Sequence, residues 1–171
     1  MKPLQFTAQY WIEHLDLQPH PEGGYFKETY RCQEKLTAKN LPERFKFDHC
    51  FSTAIYYLLD APNFSAFHRI KQDELWHYYF GNSSLTIHII SKTGEYHKSN
   101  LGNQPEDGQS FQLQVKAGDW FAASVDEIEG FALVGCTVAP GFEFNDFELA
   151  SKNQLLNQYP EHSEVIKRYS I

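Results

Sequence analysis

The sequence has little of what would tie it to a disulfide framework, a metal cluster or a membrane. Its 171 residues include only three cysteines, Cys32, Cys50 and Cys136, with no CxxC pair, so neither disulfides nor a thiolate zinc site are predicted. No apolar run approaches the roughly 18 residues that a membrane span needs, and residues 1–12 lack the apolar segment of a signal peptide. We therefore expect a cytoplasmic protein without a membrane partner.

Positive charge is also scarce. The net charge is -7, and the longest basic cluster is the pair Lys167 and Arg168, so a nucleic acid polymer is not an expected partner. With 42% hydrophobic and 22% charged residues, the composition predicts one packed globular domain over residues 1–171. Aromatic residues make up 16% of the chain, an excess that either thickens the core or lines a concave ligand site.

Short strands dominate the pattern between residues 25 and 138. Alternating or β-branched and aromatic segments, separated by turn signals, predict strands at 25–31, 50–59, 65–70, 74–80, 84–91, 95–98, 109–115, 120–124 and 131–138. Helices are predicted only near the two ends of the chain, at 8–15 after the N-cap Thr7, at 146–157 after Asp146, and at 161–169. Such a run of strands without intervening helices favours an all-β sandwich or jelly-roll barrel.

One stretch, HRIKQDELWHYYFG from His68 to Gly81, holds the candidate chemistry. Residues two apart on a strand share a face, so Glu74, Trp76 and Tyr78 project together after the turn that follows His68. If the two strands close as a hairpin, an imidazole and a carboxylate meet inside the barrel.

The spacing of His68, Glu74 and Gly81 resembles the first conserved motif of the cupin superfamily, with Ile70 where a second His is usual. Three further segments, PHPEGGYF at 19–26, STAIYYLL at 52–59 and VAPGFEF at 138–144 followed by DFE at 146–148, are similar to Cupin_5, a family of uncharacterised single-domain cupins. The resemblance implies a double-stranded β-helix, the RmlC-like jelly roll, with short N-terminal and C-terminal helices. It also implies a dimer, similar in shape to enzymes that epimerise nucleotide-linked keto-sugars.

The metal site of this superfamily is incomplete here. Metal-dependent cupins bind iron, manganese, nickel or zinc through three His and one Glu, but Ile70 removes one ligand and no His lies between His97 and His162. His68 and Glu74 alone would leave the ion two ligands short. We therefore predict no cofactor, and if a metal binds, His68 and Glu74 are its expected ligands.

The epimerases of the superfamily use a His base and a Tyr acid without metal, and this chain offers both residue types. His68 is the expected base, because neutral imidazole suits proton abstraction near pH 7, and Glu74 is expected to fix its tautomer. Tyr56 or Tyr78 is the expected acid. Further candidates for contact with the substrate are two cations for an anionic group, two aromatic rings and one carboxylate: Arg69, Lys71, Trp76, Phe26 and Glu28.

Three hypotheses stay open at this point. The first is a metal-free isomerase or epimerase of a small, carbohydrate-like or nucleotide-linked metabolite; the second is a non-catalytic module that binds such a molecule; the third is a metal-dependent oxygenase or decarboxylase. Structural roles are also open, with His68 in the core and Glu74 paired with Arg69 or Arg31. We expect a homodimer, since association covers exposed strand edges.

Overall fold

Residues 6–171, which the computed structural model describes, form two facing β-sheets with helices near both ends of the chain. The strands are β1 (Gln18–Pro19), β2 (Tyr25–Arg31), β3 (Lys35–Leu36), β4 (His49–Cys50), β5 (Thr53–Asp60), β6 (Phe64–Arg69), β7 (Asp73–Gly81), β8 (Leu85–Ile90), β9 (Tyr96–Leu101), β10 (Gln109–Ser110), β11 (Gln112–Val115), β12 (Trp120–Val125), β13 (Phe131–Ala139) and β14 (Glu148–Leu149). The first sheet has the order β1-β2-β5-β13-β7-β11, and the second has the order β10-β9-β8-β12-β6-β14.

From β5 to β8, and again from β10 to β14, successive strands alternate between the two sheets. β5, β7, β11 and β13 lie in the first sheet, whereas β6, β8 and β12 lie in the second. Their inner faces bury large side chains against one another, including Tyr57, Trp76, Leu85, Ile87 and Phe121. The predicted all-β jelly roll with short terminal helices is confirmed.

The N-terminal helix α1 (Ala8–His14) begins where the sequence predicts, because the hydroxyl of Thr7 accepts a hydrogen bond of 3.2 Å from the backbone N–H of Tyr10. Its Trp11 and Ile12 pack on the outer face of the first sheet, next to Leu58. No helix in the described part of the chain, residues 6–171, is long and apolar enough to cross a membrane.

Two helices, α2 (Lys152–Gln158) and α3 (Ser163–Arg168), cover the outer face of the second sheet through the buried Leu155 and Ile166. The predicted start of the first of these at Asp146 is wrong. The carboxylate of Asp146 is bound to His49, and the next residues pair with β6 as strand β14, so the helix begins six residues later.

The strand predicted at 50–59 is divided in the structure. Cys50 belongs to β4, which pairs with β3 in a separate ribbon, and the long strand β5 begins at Thr53. The break turns the chain from the ribbon into the first sheet. The side chain of Ser52 stabilises this turn by donating a 3.0 Å hydrogen bond to the carbonyl of Val138.

Candidate functional site

A cavity of about 110 Å³ lies between the two sheets. Glu74 and Trp76 enter it from β7 in the first sheet, and His68 enters it from the end of β6 in the second sheet. The register of β7 and β13 sets Trp76 opposite Cys136, which also lines the cavity. The volume is far above the 10–15 Å³ or so that one water needs, so the cavity has room for a small organic molecule.

A buried imidazole and carboxylate meet in this cavity. The Nε2 atom of His68 lies 3.0 Å from Oε2 of Glu22, and both side chains are almost fully buried. The other ring nitrogen, Nδ1, is 2.8 Å from the carbonyl oxygen of Ala66. Because a carbonyl only accepts hydrogen bonds, Nδ1 must hold a proton and donate it. When the ring is also protonated at Nε2, that nitrogen donates to the carboxylate of Glu22.

Glycine places Glu22 beside His68. Gly23 has a φ of 114°, and a Cβ there would collide with the backbone carbonyl of Phe64 on β6. The segment is held against β6 because the N–H of Ala66 donates to the carbonyl of Glu22 at 2.8 Å. The hydroxyl of Tyr57 on β5 donates to the carbonyl of Gly23, also at 2.8 Å. The turn at Gly23 therefore lets the chain approach β6 closely enough for Glu22 to enter the cavity.

Glu22 is held as a carboxylate. Burial favours its neutral form, but the nearby charge of His68 and hydrogen bonds from His20 and Ser65 outweigh burial and lower the pKa of Glu22. The hydroxyl of Ser65 donates to Oε1 at 2.9 Å. Burial lowers the pKa of His68, against the opposing charge of Glu22.

Glu74 is in the opposite protonation state. Burial and the negative charge of Glu22 raise the pKa of Glu74 to about 8, so its carboxyl holds a proton at neutral pH. Burial, followed by the charge of Glu74, raises the pKa of Cys136 well above its usual value, so its side chain stays a neutral thiol. Glu22 and Glu74, which both line the cavity, are therefore an ionised and a neutral carboxyl group, the arrangement from which acid and base roles arise in proton transfer.

The segment that follows β13 adds an aromatic wall at the cavity. Phe142, Phe144 and Phe147 line it, together with Phe26 of β2. Arg31 holds this wall to β2, because its guanidinium donates to the carbonyl of Phe142 at 3.1 Å. Rings at this position offer an apolar surface to a ligand.

Two carboxylates fix Arg31 itself. Its Nε and Nη2 atoms donate to the two oxygens of Glu28, both at 2.9 Å, and its Nη1 donates to Glu143 at 2.7 Å. Glu28 lines the cavity but is committed to this ion pair.

A second buried cluster, centred on Asp146, holds the same aromatic wall. Nε2 of His49 lies 2.6 Å from Oδ2 of Asp146, its Nδ1 lies 2.7 Å from the carbonyl of Phe47, and both side chains are fully buried. The amide of Gln72 donates to Asp146 at 2.9 Å, and Nζ of Lys71 lies 3.0 Å from Oδ1 of Asp146. Although burial opposes it, bonding to His49, Lys71 and Gln72 lowers the pKa of Asp146, which stays ionised. This cluster ties the 142–147 segment to the turn between β6 and β7.

Several predicted site residues are brought together. His68, Glu74, Trp76, Phe26 and Glu28 all line the cavity, so the imidazole and the carboxyl group converge as predicted. The hairpin expected to bring them together does not form, because β6 and β7 lie in different sheets and do not pair. The carboxylate bound to His68, however, is that of Glu22.

Four predicted residues lie elsewhere. Tyr56 is on the outer face of the first sheet with α1. Tyr78 is partly buried against the core between the sheets, where its hydroxyl donates to the carbonyl of Ser83 at 3.0 Å. Arg69 bonds to Glu148, and Lys71 is bound to Asp146; both line a neighbouring groove.

Sequence reasoning missed Glu22, His20 and Tyr57, which all line the cavity. Tyr57 faces inward because Thr53, Ile55 and Tyr57 share one face of β5, and parity would have selected it over Tyr56 had the inner face been known. Glu22 could have been found only from its place in the PHPEGGYF segment, since its contact with His68 joins distant parts of the chain.

The donor set does not fit the metal site that the resemblance implies. Among residues 6–171 there is no group of three or more His, Cys, Asp or Glu side chains that could hold a metal ion. Both ring nitrogens of His68 are bonded to protein atoms, and Ile70 supplies no donor.

Comparison with known proteins gives one family and several relatives. A model of the Cupin_5 family, described as Cupin superfamily (DUF985), matches residues 9–150. The solved structure of protein SO0799 from Shewanella oneidensis is 35% identical with a TM-score of 0.88, and the match covers 98% of this chain and 99% of that one. The uncharacterised protein YML079W of Saccharomyces cerevisiae is 28% identical over an alignment of 160 residues that covers 82% of this chain and 73% of the relative. Oxalate decarboxylase from Bacillus subtilis, at 16% identity and a TM-score of 0.53 over 91% of this chain and 37% of that one, shares the fold alone.

Proposed function

The chain belongs to the Cupin_5 family, and we propose that it is a metal-free isomerase or epimerase that moves a proton at a carbon next to a carbonyl in a small, carbohydrate-like metabolite. The observation that carries this proposal is the pair of carboxyl groups in one cavity, with Glu22 held ionised by His68 and Glu74 held neutral with a pKa of about 8. Opposite protonation states in one site supply a base and an acid at the same pH.

Each group has a role that its surroundings favour. The carboxylate of Glu22 takes the proton from the carbon, while the carboxyl of Glu74 donates its proton to the carbonyl oxygen, and an enediol forms. Return of a proton to carbon, with loss of the hydroxyl proton from the enediol, restores the carbonyl and completes the isomerisation. His68 acts on Glu22 as a positioning residue, because its Nε2 faces that carboxylate at 3.0 Å.

The cavity favours a small substrate. Its volume of about 110 Å³ matches a short sugar better than an entire nucleotide sugar. The rings of Phe26, Phe142 and Phe147 border it and suit the apolar C–H face of a carbohydrate. Trp76, which is buried, lines it as well.

Hydrogen exchange from solvent tests the chemistry without knowledge of the natural substrate. Dihydroxyacetone, erythrulose and xylulose are incubated with the protein in D2O, and loss of the C–H signal next to the carbonyl is followed by NMR. The wild-type protein is expected to exchange at least one of them, and Glu22→Gln and Glu74→Gln are each expected to slow exchange by about 10²–10⁴-fold.

Glu148→Gln is the matched control, because this carboxylate lies outside the cavity in the pair with Arg69. Its exchange rate is expected to equal that of the wild type. Exchange that persists unchanged in both cavity variants would overturn the proposal.

The aromatic wall also favours a second candidate function, capture of a small metabolite without conversion. Four phenylalanines around one cavity give binding surface without any need for proton transfer. Native mass spectrometry after incubation with the same three ketoses separates the candidates: retention of an unexchanged ligand favours the binding module.

The homodimer stays a prediction, tested by sedimentation velocity of the full chain.

A further inference from the structure

A groove of about 500 Å³ lies beside the cavity and shares Ile70 and Phe147 with it. We propose that this groove is an anion-binding site for the phosphate or diphosphate group of a small molecule. The proposal does not depend on the proton transfer proposed for the cavity.

The groove is positively charged in a negatively charged protein. Arg44, Arg69, Lys71 and Lys92 line it, and the carboxylates there are those of Asp146 and Glu148, which leaves two positive charges in excess. The whole chain has a net charge of -7. A local excess of this sign, opposite to that of the molecule, attracts anions to one place on its surface.

Two of the four cations are committed to protein partners. Arg69 donates to Glu148 at 2.8 and 2.7 Å, and its guanidinium carbon lies 4.3 Å from the centre of the Trp120 ring. Lys71 is bound to Asp146. These pairs fix the position of one wall of the groove.

The other two cations are free to bind a ligand. Within residues 6–171, neither the guanidinium of Arg44 nor the ammonium group of Lys92 has a carboxylate oxygen within 4.0 Å, although both residues line the groove; Asp119 bonds only to the backbone N–H of Lys92. Arg44 is held in place, because its Nε donates to the carbonyl of Lys71 at 2.8 Å and its guanidinium carbon lies 4.7 Å from the centre of the Phe45 ring. Its two terminal nitrogens stay available as donors.

The stem of Lys92 is positioned by a close approach to the backbone. A Cβ on Gly118 would come within 2.6 Å of Cε of Lys92, so the lysine side chain lies directly over this glycine. Gly118 also has a φ of 78°, and its N–H donates to the carbonyl of Ile70 at 2.8 Å. The glycine therefore brings the ammonium group of Lys92 to the same groove as Arg44.

A held guanidinium and an ammonium group together favour a phosphate. The planar donors of arginine match two phosphate oxygens, and lysine adds a compact positive charge. A diphosphate contacts both cations and gains more from their charges than a single phosphate does.

Calorimetric titration of the full chain with inorganic pyrophosphate, at low ionic strength, tests the site. The double variant Arg44→Ala with Lys92→Ala is expected to weaken binding about tenfold or more. The matched control is Lys98→Ala with Lys167→Ala, which removes the same total charge from exposed positions outside the groove and is expected to leave affinity within about twofold.

Glu22→Gln separates this proposal from that for the cavity. It is expected to leave pyrophosphate affinity unchanged while it slows hydrogen exchange. Three results would each overturn the anion site. They are equal weakening of pyrophosphate binding in the two double variants, undiminished affinity in Arg44→Ala with Lys92→Ala, and no measurable binding by the wild type.

Discussion

Nε2 of His68 lies 3.0 Å from Oε2 of Glu22, and Nδ1 of the same ring donates to the carbonyl of Ala66. In this geometry a ring protonated at Nε2 donates to the buried carboxylate. The charge of His68, with hydrogen bonds from His20 and Ser65, holds Glu22 ionised, and burial together with the charge of Glu22 raises the pKa of Glu74 on β7. The chemistry proposed for the cavity depends on this sequence of effects.

The first prediction concerns His68. Glu22→Gln removes the negative charge that opposes burial, so the pKa of His68 is expected to fall further. An NMR titration of the ring signals measures it. Glu28→Gln is the control, since Glu28 also lines the cavity but is bonded to Arg31; a His68 titration that Glu22→Gln leaves unaltered would contradict the account.

The second prediction concerns the free energy of unfolding, which the buried Glu74 lowers as pH rises. Its pKa is about 8 in the folded protein, against an ordinary value of 4.5, so stability falls as pH rises through this window and the full loss is present above pH 8. Glu74→Gln is expected to raise the free energy of unfolding at pH 7 by about 3 kcal/mol and to change it little at pH 4. Urea unfolding at both pH values measures the difference, and a gain of equal size at pH 4 would argue against a raised pKa.

The third prediction concerns the turn that positions Glu22. Gly23→Ala adds a collision with the carbonyl of Phe64 to the strain of a positive φ, and we expect it to lower the free energy of unfolding by about 2–4 kcal/mol. Gly108→Ala is the matched control, because φ is 75° there and nothing lies within 4 Å of the added carbon, so about 1 kcal/mol is expected. Denaturant unfolding compares the two, and equal losses would show that the close approach at Gly23 is unimportant.

The fourth prediction concerns the cluster that holds the aromatic wall. Asp146→Asn leaves His49 and Lys71 without the buried carboxylate that they contact, and we expect the free energy of unfolding at pH 7 to fall by about 3–5 kcal/mol. Because the pKa of Asp146 is lowered in the folded state, its stabilising effect is present above about pH 4 and is lost as pH falls further.

Thermal and urea unfolding at pH 7 test this fourth expectation. Glu148→Gln, which breaks the exposed pair with Arg69, is expected to cost less than about 1 kcal/mol. Similar costs for the two variants would contradict a special role for the buried cluster.

The sequence predicted what depends on local pattern. Strand alternation located most strands to within a few residues, and Thr7 marked the start of α1. The spacing of His68 and Glu74 predicted that both enter one cavity, and they do. The turn after β6 sets their two strands on facing sheets.

The rest depends on contacts between distant segments, which periodicity does not describe. Glu22 reaches His68 only because a glycine turn lets its segment cross β6 closely. Tyr56 and Tyr57 are neighbours of equal chemistry, and only the pairing of β5 decides which one faces the cavity. Asp146 suits a helix N-terminus by residue type, yet a buried histidine from β4 binds it instead.

The most direct test of the proposed acid–base pair is an NMR titration of the glutamate carboxyl carbons in the full chain, with Glu22→Gln and Glu74→Gln used to assign the two signals. The account predicts that Glu74 titrates near a pKa of about 8 and that the pKa of Glu22 lies below its ordinary value of 4.5. Two carboxyl groups that both titrate near 4.5 would contradict it.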